Sequence, residues 1–403
     1  MSSTPLYVFF LVLFIYCALS VTYIFILSFW GKFFYRSRTN PYNTRPEKKI
    51  AILVPAFKED TVIVSTAKNL LKLDYPASLY DIYIIADSFK PETLDQLRRL
   101  PVQVMEVDFD TSTKTKSLND AFSRIRPGYD IALICDADNV LAFNFLKKIN
   151  HCFVNGDRAV QGRRVAKNLD SSYAVLDACS EAINNHIFRK GTSAMGLSSA
   201  LIGSGMAFDF SLIRQVLSEI DAIGGFDKPL QLKVVQQGVT IRYLDDALIF
   251  DEKVSSSTAF RQQRERWMSS QFIYLREYFL PAVKQLFKGN LSYFNLAIIN
   301  NMVMPRAFLL VILPVMIIMA AFIDITWVLA VVGLCMAYIV SLGMSIPTVM
   351  VNRDLLQAGL KLPKAVGLMF VTLFNIKKAN KTFIHTVHTK TEVSNTLFND
   401  HGR

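Results

Sequence analysis

The stretch Ile131-Ala132-Leu133-Ile134-Cys135-Asp136-Ala137-Asp138-Asn139 decides how this chain is read. Its apolar half, residues 131–135, is too short for a helix and suits a strand covered on both faces. Asp136 and Asp138 then fall just past the C-terminal end of that strand, the edge of an open α/β sheet at which ligands bind. Carboxylates one residue apart can point the same way and share one hard cation. Mg²⁺ is typically held by one or two carboxylates together with substrate phosphates. A solvated turn after a strand has the same composition, so the surrounding chain has to choose between the two.

Outward from this point, residues 50–252 alternate strand-like apolar runs with helix-length polar segments. Ile50–Val54, Asp81–Ala86 and Val102–Val107 read as strands, and segments near Thr61–Leu73 and Ser117–Ile125 as helices. Such a βαβ series predicts a mostly parallel sheet with helices on both faces. Right-handed crossovers bring the C-terminal ends of parallel strands to one edge. Glu59, Asp87, Asp136 and Asp138 therefore converge on one crevice, with Lys114 and Lys116 in a loop between them. Carboxylates for a base, a ribose and a metal, with lysines for phosphates, describe a nucleotide site. Neither GxGxxG nor GxxxxGK[ST] occurs, so a Rossmann dinucleotide site and a P-loop are both unsupported.

Apolar segments flank this region. Residues 6–30 carry no charge and are long enough to cross a bilayer as a helix, with Trp30 where an interface belt would fall. The run exceeds a signal-peptide core and no positive charge precedes it. A basic linker, 31–49, follows, with Lys32, Arg36, Arg38, Arg45, Lys48 and Lys49. The positive-inside rule then puts the N-terminus outside and the 50–272 domain in the cytoplasm. Residues 273–305 read as interfacial, with Phe279, Leu280, Ala282, Val283, Leu286 and Phe287 at helical spacing. A helix docked on the 50–272 domain is the alternative. Residues 306–350 form a predicted transmembrane hairpin with a tight turn at Asp324, and 351–403 a basic cytoplasmic or interfacial tail whose 365–374 run is too short to span.

The 403-residue chain has a net charge of +11, but much of the excess flanks apolar segments, which suits anionic headgroups better than nucleic acid. Five cysteines show no CxxC pairing, and two of them, Cys17 and Cys335, lie in predicted membrane helices. His385 and His388 would share a helix face, yet two ligands do not make a metal site.

The order of motifs resembles the family 2 glycosyltransferases of GT-A fold, especially the membrane-embedded branch with cellulose synthase and hyaluronan synthase. The matching pieces are Val54-Pro55-Ala56-Phe57-Lys58-Glu59, Ala86-Asp87-Ser88, Lys114 to Asn119, Asp136-Ala137-Asp138, Gly203-Ser204-Gly205-Met206, Gly224-Gly225-Phe226-Asp227 and Gln263-Arg264-Glu265-Arg266-Trp267. Each is weak alone; seven in order are not. The resemblance implies that Pro55, Ala56, Glu59 and Asp87 hold the nucleotide's base and ribose, with Lys114 or Lys116 nearby. It implies that Asp136 and Asp138 position Mg²⁺ or Mn²⁺ on the diphosphate, and that Gln263, Arg266 and Trp267 close the donor site and face the acceptor. A bidentate guanidinium suits phosphate oxygens, and a flat indole suits a sugar. An amphipathic helix packed on the sheet would also account for 263–267.

One departure stands out. The family's usual Glu-Asp pair, whose Asp is the base, is missing between Gly224 and Leu232. Counting back from Gly238, Asp227 takes its place and is the candidate base; it is equally a candidate helix cap. Together these features imply an inverting transferase moving a sugar from a nucleotide donor, UDP-linked by the resemblance, to a lipid or glycan hydroxyl at the cytoplasmic membrane face. A processive polysaccharide synthase that secretes its product, aided by a homo-oligomer or a secretion partner, is the nearest alternative. A catalytically weak sugar-nucleotide-binding subunit is the more distant one.

Overall fold

The computed structural model of the protein describes residues 4–37, 44–222, 224–373 and 388–395. Eight strands, β1 (Ile50–Phe57), β2 (Tyr80–Asp87), β3 (Gln103–Val107), β4 (Ile131–Ile134), β5 (Val140–Leu141), β6 (Ala159–Ala166), β7 (Met206–Asp209) and β8 (Ile241–Asp251), form one sheet in the order β3-β2-β1-β4-β7-β6-β8-β5. β1 pairs in parallel with β2 and β4, β2 with β3, and β6 with β8. β7 is antiparallel to both β4 and β6, and β5 to β8. Six strands therefore run one way, and only β7 and β5 run against them. The predicted parallel crevice is thereby extended: the ends of β6 and β8 reach the same edge as those of β1, β2 and β4.

The burial pattern explains why β4 is a strand. Ala132 and Ile134 enter the core cluster on one face, and Ile131 and Leu133 the cluster on the other. Ala51 and Leu53 of β1 alternate in the same way with Ile50, Ile52 and Val54. Each such Ile, Leu or Val contributes about 1.5–3 kcal/mol by leaving water, so a one-residue slip would cost little in burial but would misplace every group beyond the strand's end. The helix Ile63–Leu70 packs Ile63, Ala67 and Leu70 on one face, and Lys114–Arg124 packs Leu118, Ala121 and Phe122 on the other.

Outside the sheet, the helices Thr4–Phe33, Arg306–Ala321 and Ile325–Ser345 share a separate apolar cluster that includes Phe10, Leu27, Leu309, Leu313, Val331 and Tyr338. Among the described residues, two helices, Pro5–Phe33 and Ile325–Ser345, are long and apolar enough to cross a membrane; a third span results if Leu291–Met302 and Arg306–Ala321, bent by 54°, count together. Val12, Leu19, Leu329, Met336 and Ile339 stay exposed on the two long helices. Asp324 makes the turn expected of it, its carboxylate accepting from Thr326 N at 2.7 Å to cap the last helix.

No break in secondary structure falls at 272/273. Ser257–Phe287 is one continuous helix that carries both Gln263–Trp267 and the apolar stretch beyond. The two readings of that stretch divide between its faces. Ala282 and Val283 dock on the catalytic core, whereas Phe279, Leu280 and Phe287 are exposed. A second link joins the sheet domain to the N-terminal helix. The π-helical turn His186–Gly191 lies against Leu27–Gly31 so closely that a side chain at Gly191 would collide with the Leu27 carbonyl, and His186 Nε2 sits 2.9 Å from Ser28 O. π-turns of this kind are frequent at functional sites. The expected helical pairing of His385 with His388 is not testable in full: His385 lies outside the described residues, and His388 is in a non-helical segment.

Candidate active site

At the edge where β1 and β2 end, the backbone turns sharply at both strands. Lys58 and Ser88 adopt positive φ, 56° and 59°, which non-glycine residues rarely accept. Lys58 N donates to Asp87 O at 3.0 Å, locking the two turns together. Asp87 is buried; its Oδ1 accepts from Ser88 Oγ at 2.9 Å, while Oδ2 is buried with no partner. A buried carboxylate oxygen left unpaired is costly, and here it lines a cavity of about 570 Å³ with Pro55, Ala56, Glu59, Lys114, Asp136 and Asp138.

Lys114 and Lys116 part company. Thr113 caps the helix Lys114–Arg124, its Oγ1 accepting from Lys116 N at 3.2 Å. Lys114, at the first helical position, turns back into the cavity to pair with the Asp136 carboxylate and donate to Gly203 O at 2.7 Å. Two residues on, about 200° around the helix, Lys116 points outward to Thr111 O and lines no part of the cavity.

Asp138 is buried, with Glu252 N donating to Oδ2 at 3.1 Å and Asn139 Nδ2 to Oδ1 at 3.2 Å. Burial pushes its pKa up to about 6, against the pull of His388. Asp251, at the end of β8, joins it, held by Lys253 at 2.8 Å and Arg164 at 3.7 Å. Sequence reading missed Asp251-Glu252-Lys253, although Ala247–Phe250 followed by acidic residues repeats the pattern of 131–138. It also missed the strap 388–395, which no local signal announces. His388 Nδ1 meets Glu59 Oε1 at 2.8 Å, Lys390 Nζ meets Asp170 at 2.8 Å, and the backbone amides of Thr389 and Lys390 donate to the Glu252 carboxylate. Burial disfavours a charged His388, but Asp138, Glu59 and Glu252 outweigh it and push the imidazole up to about 10.

Among the described residues no group of three or more His, Cys, Asp or Glu side chains is arranged to hold a metal ion. The donor set nevertheless fits a hard cation: two carboxylates one residue apart, one buried and the other partly exposed at a cavity lined by further acids, leave the remaining positions to phosphate oxygens and water.

A second cavity, about 520 Å³, adjoins the first and shares Arg164, Gln263 and Arg266 with it. Gln263, Arg266, Trp267 and Ser270 recur at the spacing of one helix face on Ser257–Phe287, and all four line it. Gln263 Oε1 is buried without a partner, burial lowers the pKa of Arg266, and Trp267 is largely exposed with the Arg264 guanidinium 4.6 Å over its ring. Arg264 is itself paired with buried Asp177. Across the cavity stands Asp227, first residue of the helix Asp227–Gln236. The cap position is Phe226 and makes no side-chain cap bond, so Asp227 is not the hydrogen-bonding cap that its sequence context allowed. Its loop is fixed on the long helix: Tyr274 OH donates to Gly224 O at 2.8 Å, and Gly225, at φ 63°, leaves no room for a side chain beside Ser270. Asp177 and Glu181, the other carboxylates lining the cavity, are both in ion pairs. Asp227 makes none among the described residues. Gln231 is buried and accepts from Leu201 N at 3.0 Å.

Sheet order, strand-end acids and adjoining cavities are those of a GT-A-type α/β domain. Residues 46–270 match the family model described as glycosyltransferase like family 2, more than half of the chain, and the chain belongs to that family. It is 25% identical over 243 residues to a beta-monoglucosyldiacylglycerol synthase of Synechocystis sp., covering 57% of this chain and 49% of that protein. It is also 25% identical over 252 residues to an N-acetylglucosaminyltransferase of Rhizobium meliloti, covering 58% of each. The chain spans about half the length of the glucosyldiacylglycerol synthase relatives. Among solved structures, the mannosyltransferase PcManGT from Pyrobaculum calidifontis, in complex with GDP-Man and Mn²⁺, superposes with a TM-score of 0.53 at 16% identity, over 89% of this chain and 99% of that one. This likeness reaches beyond the family-model region into the flanking helices.

Proposed function

We propose that the protein is a membrane-integrated inverting glycosyltransferase that moves a hexosyl group from a nucleoside diphosphate sugar, UDP-linked, to a hydroxyl of a lipid or glycan acceptor. The carrying observation is that two cavities meet at Gln263 and Arg266, and that the second contains one carboxylate, Asp227, with no hydrogen bond or ion pair among the described residues. The first cavity binds the nucleotide: Asp87 Oδ2, buried and unpaired, accepts from a ribose hydroxyl or a base N–H. Asp136 and Asp138 would hold Mg²⁺ or Mn²⁺, which as a Lewis acid stabilises the leaving diphosphate. Asp227 takes the proton of the acceptor hydroxyl as its oxygen bonds to the anomeric carbon. The bond from that carbon to the diphosphate oxygen breaks, and Arg266 meets the charge that develops on the diphosphate. One displacement with one base inverts the anomeric centre, by the logic that governs glycoside hydrolysis.

The position of the second cavity supports a membrane acceptor. Its lining includes Gln271 on the long helix, Phe188 on the π-turn packed against the N-terminal helix, and Asn300 in the bent segment before Arg306–Ala321. The basic linker and tail support a cytoplasmic catalytic domain by the positive-inside rule. Gln263-x-x-Arg266-Trp267 favours the cellulose and hyaluronan synthase branch.

Nucleoside diphosphate release from a panel of nucleotide sugars, with the full-length protein in lipid, Mn²⁺ or Mg²⁺, and a membrane extract as acceptor, tests the reading. Release from one donor that is lost in both Asp138→Asn and Asp227→Asn is the expected result. Loss in Asp138→Asn alone would remove Asp227 from the role of base. No release from any donor, with an extract known to hold a usable acceptor, would leave a binding subunit instead.

A further inference from the structure

The charges of the second cavity do not balance. Of the five basic side chains that line it, Arg164 and Arg264 are matched by Glu181 and Asp177, and Arg266 also faces the first cavity. Arg189 and Lys228 have no carboxylate in ion-pair contact among the described residues; Glu181 and Asp227 act on Arg189, and Asp227 on Lys228, only at longer range. Arg189 is the sharper anomaly. It is only 8% exposed; Nη1 donates to Asn185 Oδ1 at 3.0 Å, and Nε is buried with no acceptor. A guanidinium taken out of water without an anion is costly, and an arginine cannot escape by losing its proton: burial lowers its pKa only to about 10. Burial likewise lowers the pKa of Lys228, adjacent in sequence to Asp227. Both side chains line the cavity on the side of Asp227.

Asp227 makes the imbalance worse during the reaction. Once it has taken the acceptor's proton it is neutral, and both cations are left without any nearby free carboxylate. The leaving diphosphate does not supply one, because Asp136, Asp138 and Lys114, which mark its place, line the first cavity and not the second. The missing anion therefore comes with the acceptor.

We propose that the acceptor is a hydroxyl-bearing phospholipid, and that Arg189 and Lys228 bind its headgroup phosphate beside the hydroxyl that takes the sugar. This rests on the transferase reading above. Phosphate is the group that a forked guanidinium and an ammonium recognise together. A lipid source suits the position of Arg189, whose π-turn is pressed on the N-terminal helix at Leu27 and Ser28.

The test uses full-length protein in phosphatidylcholine nanodiscs and has two arms. In the first, without donor, sn-glycerol 3-phosphate is titrated at constant ionic strength, with glycerol as the control. Saturable thermal stabilisation by glycerol 3-phosphate alone is expected, weakened roughly tenfold or more in Arg189→Gln and in Lys228→Gln, the loss that one charge-assisted hydrogen bond implies. In the second arm, with the donor found by the panel, phosphatidylglycerol is expected to accept sugar and diacylglycerol not. Both variants should raise the KM for phosphatidylglycerol by about tenfold and leave the donor KM unchanged. Arg189→Lys, which keeps the charge, should recover part of the loss and serves if Arg189→Gln does not fold. Equal use of diacylglycerol, or variants that shift the KM of a uronic-acid donor instead, would overturn the proposal, as would stabilisation by glycerol alone. If no donor releases its diphosphate, the transferase reading fails, while the first arm still decides the phosphate site.

Discussion

The two cavities are built to different standards of completeness. In the first, nearly every charge is answered: Lys114 by Asp136, Lys253 by Asp251 and Glu181, His388 by Glu59, Lys390 by Asp170. The second keeps, among the described residues, a carboxylate, Asp227, with no ion pair and a buried guanidinium, Arg189, with no carboxylate in ion-pair contact; the unpaired amide oxygen of Gln263 lies where the two cavities meet. The first is made of strand ends, which a sheet fixes to within its register; the second is made of one helix face, a glycine turn and a π-turn, which only tertiary packing holds. On the proposed reading, a nucleotide is a constant partner that a site with most charges already paired can meet, whereas an acceptor arriving from the membrane would be met by groups whose partners come with it.

The largest effects are expected where the two cavities meet in the chemistry. Asp227→Asn should lower sugar transfer by about 10²–10⁴-fold, the span of general-base catalysis, while binding of nucleoside diphosphate, measured by calorimetry, stays near wild type. Asp138→Asn should do the opposite, abolishing Mn²⁺-dependent nucleotide binding. Chelation of the wild-type protein should reproduce its loss of transfer, and added Mn²⁺ should restore it. If both variants lost nucleotide binding equally, the division into a donor and an acceptor cavity would be wrong.

Next comes the frame of the second cavity. Removing the Asp177 carboxylate by Asp177→Asn leaves Arg264 buried and uncompensated, so stability should fall by about 3–5 kcal/mol, read by chemical denaturation. Gly191→Ala forces a methyl group toward the Leu27 carbonyl. Overpacking of that kind costs about 1–3 kcal/mol, and since the π-turn must move, acceptor KM should rise more than donor KM. An unchanged ratio of the two would mean that the contact with the N-terminal helix does not shape the acceptor site.

The same contrast explains what could be read from the sequence. Period-2 burial in Ile50–Val54 and Ile131–Ile134 is a local signal, and a strand's end is a local place, so Glu59, Asp87, Asp136 and Asp138 were legible as one crevice. Gln263 to Trp267 were legible as a helix face, but the helix's continuation to Phe287 was not, because the change from polar to apolar composition at 272/273 looks like an end. Arg189 carried no signal: an arginine in a helical run is ordinarily solvated, and only packing of the turn on Leu27 buries it. The strap is harder still, since His388 meets Glu59 across 329 residues of sequence.

Lys114 and Lys116 give the smallest and the cleanest comparison. They stand two residues apart in a segment read as one phosphate-facing loop, and the helix that Thr113 caps sends them to opposite sides. Lys114→Ala removes the partner of Asp136 and a donor to Gly203 O. In the absence of metal it leaves two acids facing each other across the cavity, so nucleotide affinity should fall, and should fall most at low Mn²⁺, where no cation substitutes for the ammonium. Lys116→Ala removes an exposed contact to Thr111 O and nothing in the cavity, so its donor KM should equal that of wild type at every Mn²⁺ concentration. A Mn²⁺-dependent change in Lys116→Ala would mean that the helix begins later than Lys114 when nucleotide binds. The division between the two lysines would then belong to the empty site alone.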